Sequence, residues 1–235
     1  MNRRPRVFHV DSLDLDFKQK PWEYAVERAA EIKTYFADRQ RQTPALWNGA
    51  VLLLHRQVLS GGIFHGEFLQ TDFASFTAWH TWGMPEAGVR DCFAAAAMIS
   101  ADGAFLLGVM GGHTFNSGRI YFPCGTPDLS DIKDGKVDFE FSVARELKEE
   151  TGLDIAEFAA EPGWTTVVDG GLIGQIKLLR SAQSATDLRA RILKHLASEA
   201  QPELADIRIV RSPADFDPKM PDFVTAVMVE RFGSG

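Results

Sequence analysis

Residues 139–153 read FEFSVARELKEETGL, and the spacing of residue types in this stretch decides the fold. Phe139, Val143 and Leu147 recur every four residues, which on a helix stacks them into one apolar stripe. Glu146, Glu149 and Glu150 stand at i, i+3 and i+4 and share another face. This spacing predicts a helix over 139–151, stopped by Gly152, with Leu153 packing back on it. Like charges so placed destabilise an isolated helix by about 0.2–0.5 kcal/mol per pair, and a hard divalent cation such as Mg²⁺ reverses that sign. A solvated acidic face is the alternative that composition alone leaves open.

On the N-terminal side of this helix, Phe93 to Ile99 and Ala104 to Met110 are apolar runs on either side of Ser100-Ala101-Asp102-Gly103, a hairpin signal. A third strand, Arg119 to Phe122, runs into Pro123-Cys124-Gly125. Further upstream, Pro21 to Arg39 has the period of one amphipathic helix. Ala50 to His55 and Gln57 to Gln70 are β-favouring and broken at Gly61-Gly62, and the aromatic-rich Phe73 to Trp82 is assigned to the same strand-rich segment. The turn-rich Gly83 to Gly88 then marks a boundary. An α/β architecture follows, with an N-terminal helix-and-strand extension over residues 1–90 packed on a domain over 91–235.

Composition excludes several functions. The 235 residues carry 25 Lys+Arg against 32 Asp+Glu, a net charge of -7, the wrong sign for nonspecific binding to nucleic acid or an anionic membrane. Apolar runs such as Cys92 to Ile99 fall short of the roughly 20 residues a membrane helix needs. Arg3, Arg4 and Arg6 are followed by Asp11, Asp14 and Asp16, so no signal peptide is expected. Cys92 and Cys124, the two cysteines, supply neither a disulfide framework nor a multi-Cys zinc site, and a reducing, cytoplasmic compartment is the default expectation.

Arg145-Glu146-Leu147-Lys148-Glu149-Glu150-Thr151-Gly152-Leu153 resembles the second half of the Nudix box, G-x5-E-x7-R-E-U-x-E-E-x-G-U, in which U is aliphatic. The resemblance implies a Nudix fold, a mixed β-sheet sandwiched between helices, and a hydrolase whose box glutamates hold the divalent cations that bind a diphosphate. It assigns Glu146, Glu149 and Glu150 to the metal, Mg²⁺ or Mn²⁺, makes Arg145 a brace for these carboxylates, and offers the Gly125 carbonyl as a further ligand. Such chemistry needs charge neutralisation, a polarised phosphoryl oxygen and an activated water, and clustered carboxylates with a metal supply all three.

The first half of the box departs from the pattern. Val137 stands where the family has Glu and Asp131 where it has Gly. With Gly125 as the box glycine, its separation from Arg145 is 20 residues against 14 in the pattern, so the loop holds six extra residues. Asp128, Asp131, Asp134, Asp138 and Glu140 lie there, and Asp138 is the nearest candidate to replace the missing carboxylate, with helix capping as its alternative role. His113 is a lone loop histidine, and Glu199, Glu203 and Asp169 are unranked candidates for a distant base.

Markers of the ADP-ribose, dinucleoside-polyphosphate and NADH-hydrolysing subgroups are absent. Leu46-Trp47-Asn48-Gly49-Ala50, Arg56 and Phe76 to Trp82 look like the N-terminal region of a UDP-sugar-hydrolysing subgroup. The resemblance therefore implies a Mg²⁺-dependent hydrolase of a nucleoside diphosphate linked to another moiety, nucleotide sugars included, acting on a small molecule rather than nucleic acid or membrane. The alternative is a Nudix-fold nucleotide-binding or regulatory module without turnover, to which Val137 and the altered loop point. For the extension, the alternatives are a cover over one end of the pocket and a homodimer interface.

Overall fold

The computed structural model describes residues 4–44 and 46–233. In chain order, β1 (Arg6–Val10) and β2 (Ser12–Phe17) precede α1 (Glu23–Glu27) and α2 (Ala29–Gln42). A long hairpin, β3 (Ala50–Ser60) and β4 (Ile63–Asp72), leads into α3 (Phe73–Thr81). Next come β5 (Asp91–Ile99), β6 (Phe105–Met110), β7 (Ile120–Tyr121), β8 (Cys124–Gly125), β9 (Ile132–Lys133) and β10 (Lys136–Val137). The last part holds α4 (Phe139–Thr151), β11 (Phe158–Ala160), β12 (Trp164–Asp169), β13 (Leu172–Ser181), α5 (Ala185–Leu196), β14 (Leu204–Val210) and α6 (Asp222–Gly233). This is a mixed α/β protein. No described helix is long and apolar enough to cross a membrane.

The chain divides into two compact units that interleave in sequence. The first takes residues up to 12, 93–125 and from 139 on. Its sheet runs β1-β12-β13-β5-β6-β14, with β7 beside β6, β8 beside β5 and β11 beside β13. Every residue of β5 is buried, and the small side chains of Ala94 to Ala97 keep that strand thin, so neighbouring backbone can approach it. The register Ala94↔Gly125 and Ala95↔Cys124 holds β8 against it. On α4 the apolar stripe is inside, with Phe139 at 2% exposure and Val143 and Leu147 at 0%. The helix ends where the sequence places its stop: Gly152 has φ 71°, its N–H donates to the Lys148 carbonyl at 2.9 Å, and Leu153 is buried. Cutting Leu147 to alanine leaves a cavity under the helix and is expected to cost about 2–5 kcal/mol, read as a lower denaturation midpoint in urea.

The second unit takes residues 13–92 and 126–138. Its sheet runs β3-β4-β2-β10-β9. Trp22, Val51, Leu53, Leu69, Phe76, Trp79 and Val89 form one apolar cluster, and Ile32 and Phe36 of α2 close a second over Ala74 and Ala78 of α3. Two sequence expectations are corrected here. Phe73 to Trp82 is largely the helix α3 rather than strand: the Asp72 side chain accepts from the Ser75 N–H at 2.8 Å, and Asn48 Oδ1 from the Ala74 N–H at 2.7 Å, which together satisfy the exposed donors of a first turn. Residues 74–79 of that helix are all buried, so no polar face marks its period. The helix expected over Pro21 to Arg39 is two helices, interrupted at Arg28, whose guanidinium sits 5.0 Å over the Tyr24 ring and bonds Glu31.

The loop between Gly125 and α4 folds into structure of its own. Asp128 caps a turn of 3-10 helix over Leu129–Asp131, its N–H bonded to the Asp131 carboxylate at 2.9 Å, and β9 and β10 then pair about Asp134-Gly135. Asp134 has φ 52° and Gly135 φ 77°, the two left-handed residues such a turn requires. Val137 is buried at 4% exposure and sits opposite Ile132, which explains an apolar side chain there. Asp131, where the Nudix pattern has Gly, is a buried capping residue.

Candidate functional site

The site is built on α4 and the strand that faces it. The turn of α4 that buries Leu147 also turns Glu146 and Glu150 inward, to 8% and 3% exposure, while the Glu149 side chain keeps 60%. The three glutamates therefore do not share one environment. Arg145 lies between them, with its guanidinium 2.8 Å from Glu146 and 3.2 Å from Glu149, an arrangement that fixes both carboxylates by charge-assisted hydrogen bonds.

Glu146 meets Gly125 at close range. A Cβ placed on Gly125 would lie 2.0 Å from Glu146 Oε1 and 2.4 Å from its carboxyl carbon. Glycine is thus required here for close approach and not for a left-handed φ. The neighbouring Cys124 N–H donates to Glu150 Oε1 at 3.3 Å. Glu150 Oε2, in contrast, is buried and has no hydrogen-bond partner among the described residues. Burial drives the Glu150 carboxyl well above the ordinary carboxylate range, and the charges of Glu203 and then Glu146 push the same way. A buried carboxylate with an unsatisfied oxygen and two acidic neighbours is costly, and a divalent cation removes that cost, so these residues fit a metal. Among the described residues, no group of three or more His, Cys, Asp and Glu side chains is arranged to hold one as it stands, consistent with Glu149 being tied outward to Arg145.

Strand pairing adds residues that spacing alone did not rank. Glu203 directly precedes β14, and its carbonyl accepts from the Gly111 N–H at the end of β6 at 2.7 Å. Burial raises its carboxyl, His113 opposes that shift, and Glu149 adds to it, so Glu203 senses both the loop histidine and α4. The Tyr121 hydroxyl is raised by burial first and then by Cys124, and it too senses Glu150 and Glu203. Of the other two candidate bases, Glu199 pairs at 3.2 Å with His195, whose Nε2 lies 3.3 Å from the Glu149 carbonyl, and Asp169 is raised by burial and then by Asp222 at the start of α6. Asp138 directly precedes α4, and its N–H donates to the Asp131 carbonyl at 2.7 Å. No signal local to residues 201–204 announces Glu203; the β14–β6 register brings it to the site.

No family model matches the chain, and no curated protein does. Solved structures do. The chain is similar to a Nudix hydrolase from M. Smegmatis, RenU, at 18% identity over 61% of this chain and 83% of that one, with a TM-score of 0.40. It is similar to a MutT protein from Methanosarcina mazei Go1 at 17% identity over 62% of this chain and 94% of that one, with a TM-score of 0.41. A bifunctional NMN adenylyltransferase/ADP ribose pyrophosphatase from Francisella tularensis, complexed with AMP and a Mn ion, matches at 13% identity over 68% of this chain, with a TM-score of 0.43. Of that last protein's length the chain spans 46%.

Proposed function

We propose that this chain is a Nudix-type diphosphohydrolase that uses Mg²⁺ or Mn²⁺ to cleave a nucleoside diphosphate linked to another moiety. The observation that carries the proposal is Glu150, a buried carboxylate with an unpartnered oxygen beside Glu146 and Glu203, on a helix whose sequence follows the second half of the box. Glu146 and Glu150 would hold the cation, with Glu149 and the Gly125 carbonyl as further ligands. When bound, the ion supplies charge neutralisation at the diphosphate and a more acidic water. Arg145 keeps Glu146 and Glu149 in place.

Glu203 takes the proton of the attacking water at its carboxylate, a role that its raised affinity for protons and its place beside α4 support. Glu203→Gln is expected to lower kcat by roughly 10²-fold with little change in KM, and to remove the acidic limb of the kcat–pH profile; steady-state kinetics across pH reads both. An unchanged acidic limb would take the base role from Glu203.

Nucleotide sugars stand first among substrates because residues 46–50 and Arg56 resemble a UDP-sugar-hydrolysing subgroup. Two cysteines in 235 residues, too few for a disulfide framework, support a reducing, cytoplasmic setting. A second proposal, a nucleotide-binding module without turnover, draws support from the buried Val137 and the outward Glu149. A panel of nucleotide sugars, dinucleoside polyphosphates and ADP-ribose incubated with Mg²⁺, with products read by mass spectrometry, separates the two: hydrolysis of one class supports the enzyme, and binding without products supports the module.

A further inference from the structure

We propose that the distal half of β3 is a self-pairing edge through which two copies of this chain associate into an antiparallel, two-fold dimer. The proposal rests on the second unit's hairpin alone and is independent of the hydrolase reading. β3 is the outermost strand of its sheet. Its first half is covered on the outer side: the Leu52 N–H donates to the Pro127 carbonyl at 2.8 Å, and Leu54 exchanges backbone bonds with Arg90 at 3.1 and 2.7 Å. A bulge at His55 ends this cover. Beyond it, residues 56–60 are all exposed, and among the described residues their outer backbone groups have no partner.

The direction of those backbone groups follows from the ladder. Gly61 and Gly62, at φ 59° and 77°, make a two-residue turn that closes on the hydrogen-bonded pair Ser60↔Ile63. Pairs then alternate, so Val58 and Arg56 bond inward to β4, whereas Gln57 and Leu59 aim their N–H and C=O groups outward. The same alternation holds past the bulge, where Leu54 bonds outward to Arg90 and its opposite number Phe68 accepts from Lys18 on the far side at 2.8 Å.

A bare edge of this kind is a template for another strand. It carries no proline or lysine, its one charge is Arg56, and it exposes Val58 by 50% and Leu59 by 55%. A second copy fits it in a register centred on Val58. There all five bare residues pair: Arg56 faces Ser60, Gln57 faces Leu59, and Val58 faces itself. The outward groups of Gln57 meet those of Leu59 and form hydrogen bonds in both directions, Val58 meets Val58 in the closer, non-bonded spacing, and no like charges oppose each other. The isologous contact closes on itself, and the short seam makes it concentration-dependent.

The test is size-exclusion chromatography with light scattering over a range of protein concentrations, applied to wild type, Val58→Lys, Val58→Glu and an equimolar mixture of the two variants. Position 58 is exposed in the single chain, so both variants should fold, which circular dichroism checks. The expected result is a wild-type dimer, monomers for each variant alone because like charges meet at the axis, and a dimer restored in the mixture. A monomeric wild type at every concentration, a variant that stays dimeric, or a mixture that stays monomeric would each overturn the proposal.

Discussion

Replacing Glu150 with glutamine is expected to reduce metal-dependent hydrolysis by roughly 10²–10³-fold while making the metal-free protein more stable, a pairing that a purely structural glutamate would not give. The wild-type carboxyl is buried, lacks a partner for Oε2 and has its affinity for protons raised by burial, Glu203 and Glu146. A group raised in this way contributes stability that is fully present below its unfolded value, 4.5, and lost as pH rises toward the folded value. The metal-free wild type should therefore melt at lower temperature at neutral pH than near pH 5, and this slope should flatten in Glu150→Gln. Mg²⁺ should raise the wild-type melting temperature at neutral pH and leave that of the variant almost unchanged. Differential scanning calorimetry with and without Mg²⁺ measures all of this; a wild type insensitive to pH and metal would contradict the assignment of Glu150.

Gly125→Ala is the second large effect. Its Cβ would stand 2.0 Å from Glu146 Oε1, a distance no real contact tolerates, so either the carboxylate or β8 must move. The backbone of Gly125 is held in register with Ala94 on a fully buried strand, which leaves the Glu146 side chain as the part that yields. Arg145, 2.8 Å from Glu146, then loses that contact as well. A displacement of this size is expected to cost about 10²-fold in kcat. Kinetics should show the loss chiefly in kcat and in the Mg²⁺ concentration needed for half activity, with a change in melting temperature of only a few degrees. Full activity in Gly125→Ala would mean that Glu146 has no need of its present position.

The most legible part of the sequence was α4, because three apolar residues at a strict four-residue spacing and a terminal glycine fix both its face and its end. The hairpin about Asp102-Gly103 was legible for a similarly local reason, the turn chemistry between two apolar runs. α3 was not, since a helix buried on all sides has no polar face and its aromatic residues favour the strand assignment. The site was partly legible. The placing of Glu146, Glu149 and Glu150 on one helix followed from their spacing, but their division into two buried carboxylates and one exposed one depends on how far α4 is rotated against its neighbours. Glu203 and Tyr121 reach the site through pairings of β14 and β7 with β6, contacts between residues far apart in sequence that no short window contains. Nor did the sequence show what Val137 and Asp131 do: Val137 packs in the small β9–β10 hairpin and Asp131 belongs to the capped 3-10 turn before it.

Whether the inward carboxylates of α4 hold a divalent cation is answered by titrating Mn²⁺ into metal-free protein. Isothermal titration calorimetry at neutral pH, run on wild type and Glu150→Gln, should show saturable Mn²⁺ binding in the wild type, an observed heat that varies with the ionisation heat of the buffer and so reports proton release, and at least tenfold weaker binding in the variant. Equal Mn²⁺ affinity in the two proteins, or no binding in the wild type, would contradict a metal site there.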